Sequence, residues 1–165
     1  MSYRKIPPTL RNYLIPQHVL DQTREFLRDR GEHGVEGVVL WLGEIVDDET
    51  GAVLAAYVPE QIGRRSELGV SVEVTAEGLT RLISDLPAGV FVLVRVHSHP
   101  TDAYHSDLDD DNMLISHPNA ISIVVPDYAR DSIALARCSI NELRHGQGWV
   151  ELDPAEVSNR FRVTT

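Results

Sequence analysis

From Gly89 to Val96 the chain reads GVFVLVRV, apolar at nearly every position. A strand with one wet face alternates apolar and polar residues. A run that does not alternate belongs to a strand covered on both faces. Such a strand needs sheet neighbours at its edges and layers above and below, so the feature demands a layered domain. At 165 residues the chain is long enough for one. Its 42% apolar and 24% charged residues are those of a globular protein, so disorder is not expected.

The flanking segments supply the layers. Pro16 to Arg30 has Val19, Leu20, Thr23, Phe26 and Leu27 on one stripe, with Pro16 suited to a first turn and Gly31 to a stop, which predicts a helix. Glu36 to Val46 (EGVVLWLGEIV) predicts a strand, paired with Ala52 to Val58 across the polar turn at residues 47–51. Leu68 to Val74 alternates, placing Val70, Val72 and Val74 on one face. Thr75 is an expected N-cap for a helix carrying Leu79, Leu82, Ile83 and Leu86, ended by Pro87. A short helix from Ser106 through Ile115 and strands at 121–125, 133–140 and 148–152 complete the reading. Residues 1–15, Pro-containing and weakly patterned, are expected to form an N-terminal arm, with residues 16–165 as a single domain. The fold class is α+β (or α/β): a mixed β-sheet flanked by helices.

Charge and composition exclude several functions. A formal net charge of −10 disfavours binding to nucleic acid, which needs a basic face, and docking on an anionic membrane. No apolar run approaches the length of a bilayer span. The N-terminus has positive charge but no apolar core or cleavage site, so no secretory signal is read there. Cys138 is the single cysteine, which rules out an internal disulfide and a thiolate metal cluster. A cytoplasmic location is the expectation.

Chemistry concentrates directly after the apolar strand, in HSHPTDAYHSDLD from His97 to Asp109. His97 and His99 are two apart, so an extended chain projects both imidazoles to one side, as ligands of one ion require. Pro100 ends the strand. Ser106 then caps a helix whose first turn holds Asp107, Asp109 and Asp110. Ser-x-x-Asp alone is more often a capping device. Two histidines ending a buried strand are harder to explain by structure, because buried imidazoles need partners. Two nitrogens, one carboxylate and an open position make a catalytic zinc site.

HSHP followed by Ser-x-x-Asp resembles the JAMM motif of the JAB/MPN metallopeptidases. That pattern also has an upstream Glu on the first strand, commonly with Gly seven residues on, matched here by Glu36 and Gly43. The resemblance runs from about Pro16 to Val125, with four elements in the family's order. It implies the MPN, cytidine-deaminase-like fold and a zinc (Zn2+) isopeptidase. The implied ligands are His97, His99 and Asp109, with Glu36 as general acid/base and Ser106 as a donor to the oxyanion. The implied substrate is a ubiquitin-like protein or its conjugate, either deconjugated or processed as a precursor. Ubiquitin-like activating and conjugating enzymes encoded nearby are implied partners. The family loop between the second His and the Ser usually has seven residues and here has six. A strict count would put Asp107 in place of Ser and make Asp110 the ligand. The need for a hydroxyl favours Ser106 and Asp109.

The other candidates have plainer readings. His105 stands beside Ser106, either in support of the site or exposed. His117 is expected at a helix C-terminus, and His18, His33 and His145 at the surface. Trp41 and Trp149 are expected to pack. Glu44 is a surface residue, and Glu32 is a weak competitor for the acid/base. The Asp107–Asp111 run lacks EF-hand spacing. A cytidine-type deaminase is disfavoured by the missing Pro-Cys-x-x-Cys pair. The rivals to an isopeptidase are a silent MPN-type scaffold and a zinc hydrolase of a small amide.

Overall fold

The computed structural model describes residues 6–7, 9–104, 115 and 117–165. Among these, eight strands form one mixed sheet in the order β10-β1-β3-β2-β6-β7-β8-β9. They are β1 (Asn12–Pro16), β2 (Val38–Ile45), β3 (Thr50–Tyr57), β6 (Phe91–Ser98), β7 (Ile121–Val125), β8 (Ser139–Arg144), β9 (Gly148–Glu151) and β10 (Phe161–Thr164). A separate hairpin pairs β4 (Gln61–Ser66) with β5 (Gly69–Val74). The helices are α1 (Gln17–Glu32), α2 (Ala76–Asp85) and α3 (Pro154–Arg160).

Strand β6 lies inside the sheet, antiparallel to β2 and parallel to β7. It is buried from Leu93 onward, as its apolar run requires. Alternation then sorts its residues between two cores. Val94 and Val96 join Val39, Trp41, Ile121 and Ile123 in a large cluster, to which α1 adds Val19, Leu20 and Leu27. The opposite face of β2 carries Val38 and Leu40, covered by Val72 and Val74 of β5 and Leu82 of α2. Arg95 and His97 face that second side, because they stand opposite Leu40 and Val38.

Local chemistry sets the element ends. Thr75 caps α2 by accepting from the Gly78 N–H at 3.0 Å. Asp153 and Glu156 form a reciprocal capping box at the start of α3. The β2–β3 register slips at Leu42/Gly43. A Cβ on Gly43 would sit 2.2 Å from the Ala52 carbonyl oxygen, so only glycine fits there.

Several expectations need correction. Residues 12–15 are not an arm: β1 lies between β10 and β3, with Tyr13 and Ile15 buried. Tyr13 stacks on Phe161, with ring centroids 5.0 Å apart, so the N-terminal strand is held by a C-terminal one. The strand expected at 133–140 is a 3-10 turn, Leu135–Arg137, and pairing begins only at Ser139. Strands β1, β4 and β10 and helix α3 have no counterpart among the expected elements. The helix expected from Ser106 rests on residues outside those described.

Candidate metal centre and its surroundings

The site begins where β6 ends. His97 and His99 are each 3% exposed. Their ring centroids are 5.1 Å apart and their planes inclined by 60°. Two imidazoles bound to one tetrahedral ion through nitrogens at about 2.0–2.1 Å place their centroids about 5 Å apart. The spacing of the two rings is compatible with a shared metal. The backbone of His99 is fixed on both sides. Its N–H donates to the Val125 carbonyl at 2.9 Å, and its carbonyl accepts from the Tyr128 N–H at 2.8 Å.

Glu36 is brought to the same place by strand register. Val38 stands opposite His97, and continuing that register sets Glu36 level with His99. The Ser98 N–H donates to the Gly37 carbonyl at 3.2 Å, and the Gly37 N–H donates to Ser98 Oγ at 3.1 Å. Arg30 of α1 donates from Nε and Nη2 to the Glu36 carbonyl, both at 3.3 Å. Glu36 is itself buried, at 7% exposure. Register thus places Glu36 on the same face of the sheet as His97 and His99.

Two tyrosines border this group. Tyr104, 55% exposed, presents its ring edge-on to His99 with centroids 4.6 Å apart. Tyr128 sits on a turn in which Asp127, Tyr128 and Ala129 all have positive φ, at 52°, 52° and 53°. Three successive non-glycine residues in the left-handed region cost roughly 1–2 kcal/mol each. The turn is tied to the strand end by the Tyr128 bond to His99 and by an Asp127 N–H donating to the Thr101 carbonyl at 2.8 Å. Burial raises the Tyr128 phenol above its ordinary pKa, and the charge of Glu36 adds to the effect.

The remaining expected ligand, Asp109, and the expected oxyanion donor, Ser106, lie outside the described residues, as do His105, Asp107 and Asp110. Among the described residues no group of three His, Cys, Asp or Glu side chains is placed to hold an ion. Backbone register sets Glu36 level with His99 and places His97 two residues away, without making the three side chains such a group. Glu32 and Glu44 are exposed, as are His18, His33 and His145. His117 has its pKa lowered by burial, and its Nδ1 lies 3.0 Å from the Pro118 carbonyl. Trp41 is buried and donates to Thr23 Oγ1 at 2.9 Å, whereas Trp149 lies under the Arg95 guanidinium, 5.6 Å from its ring centre. Sequence reasoning missed Arg30, Tyr104 and Tyr128. Their link to the site is made by folding and carries no local pattern.

No family model matches the sequence. In fold the chain is similar to the solution structure of a Desulfitobacterium hafniense protein, with a TM-score of 0.60 at 15% identity over 92% of both chains. It is also similar to that of a Salinibacter ruber protein, with a TM-score of 0.51 at 22% identity over 82% of this chain and 86% of the other. Those identities speak to the fold alone. In sequence it is 31% identical over 157 residues to the probable metalloprotease y4jG of Sinorhizobium fredii, covering 94% of this chain and 96% of the relative. With that identity along nearly the full length of both, the chain belongs to the same family as that probable metalloprotease.

Proposed function

We propose that the protein is a zinc peptidase of the JAB/MPN type that hydrolyses the amide at the C-terminal tail of ubiquitin or a ubiquitin-like protein. A metal-dependent hydrolase is the general level that its family supports. The finer reading rests on the HSHP and Ser-x-x-Asp sequence and on one structural observation. Glu36 stands level with His99 across the β2–β6 pair, and Glu36, His97 and His99 are all buried. The mixed sheet with helices is compatible with the MPN, cytidine-deaminase-like fold, which we propose for the same reason.

In this reading His97, His99 and Asp109 would hold the zinc, which would supply Lewis acidity. Glu36 takes a proton from the attacking water and delivers it to the departing amine. Its burial keeps bulk water from competing for that proton. Ser106 donates a hydrogen bond to the oxygen on which charge develops, worth on the order of 3 kcal/mol. A Gly-rich modifier tail suits a site at a strand end, because a narrow extended chain can reach it.

The test is to assay wild type and Glu36→Gln on ubiquitin carrying a C-terminal aminocoumarin amide and to measure bound zinc in parallel. The variant should lose roughly 100- to 10,000-fold in rate and retain its zinc. Full activity in a zinc-loaded variant would remove Glu36 from the mechanism.

A further inference from the structure

The backbone from Glu36 to Val38 runs along the sheet but lacks a strand on one side. Strand β3 makes its last pairing with β2 at Tyr57 opposite Leu40. The polar groups of Val38 on that side need another partner, since a buried N–H or carbonyl left unmatched is costly. Gln61 supplies both. Its Oε1 accepts from the Val38 N–H at 2.8 Å, and its Nε2 donates to the Val38 carbonyl at 2.9 Å. The same Nε2 also donates to the Pro59 carbonyl at 2.9 Å, which fixes the amide in its plane. One side chain therefore imitates a paired strand residue.

The rest of the segment is held in the same manner. Arg30 forks onto the Glu36 carbonyl, and Ser98 matches both the N–H and the carbonyl of Gly37. The Val38 bonds come from outside the α1–β2–β6 packing, from the first residue of the β4–β5 hairpin. A general base must be held within a fraction of an ångström to act, and a small misplacement costs rate more than it costs binding.

We infer that Gln61 is a positioning residue that aims Glu36 by completing the strand pairing of Val38. The inference rests on the assignment of Glu36 as the base. Gln61 bonds Val38 and Pro59 and acts through the backbone two residues from Glu36.

Two variants and two kinds of readout test it. Gln61→Met keeps the length of the side chain without its hydrogen bonds, and Gln61→Ala removes both. In full-length protein, NMR hydrogen exchange at the Val38 amide should accelerate roughly tenfold or more in both variants. On the ubiquitin–aminocoumarin substrate, kcat should fall roughly tenfold or more, with KM and bound zinc within about twofold of wild type. Unchanged protection at Val38 overturns the clamp. Lost protection with unchanged kcat, or a lowered melting temperature alone, overturns the positioning role. Glu36→Gln assayed alongside separates the two failures. If that variant hydrolyses like wild type, the base assignment falls, while Val38 exchange still decides whether Gln61 holds the segment.

Discussion

His97 and His99 are each 3% exposed, and an imidazole nitrogen must be free of its proton to ligate a metal. Neither belongs to the two apolar clusters. His97→Ala and His99→Ala should therefore each release the bound zinc, measured by elemental analysis of dialysed protein, while circular dichroism shows the fold retained. Cys138 is partly buried, and desolvation pushes its thiol up to about 12. Reactive cysteines are thiolates near neutral pH. Cys138 should resist alkylation in the native state, and Cys138→Ala should change the hydrolysis rate by less than about twofold.

At the scale of elements, the site depends on how closely α1 approaches the turn after β7. A Cβ built on Gly31 would lie 2.2 Å from Tyr128 Cβ and 2.6 Å from Cγ. Tyr128 cannot retreat without disturbing its N–H bond to His99. Gly31→Ala should cost about 1–3 kcal/mol in urea unfolding and reduce hydrolysis as well, because the strain is delivered to the strand end. Glycine at this point serves packing; the helix continues through it to Glu32. The α2 cap offers a contrast. Thr75→Ala should cost about 1 kcal/mol and leave hydrolysis unaltered, since the hydroxyl bonds only the helix start at Gly78 and Glu60 before β4, whose link to Val38 is made separately by Gln61.

For the molecule as a whole, the two chain ends are stitched to the sheet by charge. Arg160 Nη2 donates to Glu142 Oε1 at 2.7 Å, Arg144 Nε donates to Glu142 Oε2 at 2.9 Å, and Arg144 Nη2 reaches Glu156 at 3.1 Å. Arg160 Nε also donates to the Arg11 carbonyl at 2.8 Å, beside β1. Burial raises the Glu142 carboxyl, but hydrogen bonds and charge from Arg160 and Arg144 together hold it below its ordinary 4.5. A depressed folded-state value means that stability is present above the unfolded value and is lost as pH falls through the folded one. Melting temperature should thus drop with acid below about pH 4.5. Glu142→Gln should be less stable at neutral pH and show a flatter acid limb, monitored by thermal melts between neutral pH and about pH 3. A parallel acid limb in the variant would remove Glu142 from the acid response. No helix among the described residues is long and apolar enough to cross a membrane.

Local periodicity and near-neighbour spacing are the information that the sequence carries by itself. The apolar run of β6, the stripe of α1, the β2–β3 hairpin and the Thr75 cap are each written in short stretches of chain, and so is the projection of His97 and His99 to one side. The position of Glu36 was legible as a candidate because its spacing to Gly43 repeats a known pattern. Its place beside His99 is a matter of register, which pairs residues far apart in the chain. Only the tertiary structure decided that β1 and β10 share the sheet edge, because Tyr13 and Phe161 carry no mark of stacking on each other. Gln61 and Tyr128 escaped for the same reason: a side chain that satisfies a distant backbone, or a left-handed turn formed without glycine, obeys no short-range rule. Their conformations are imposed by the need to match every buried polar group once the layers have closed.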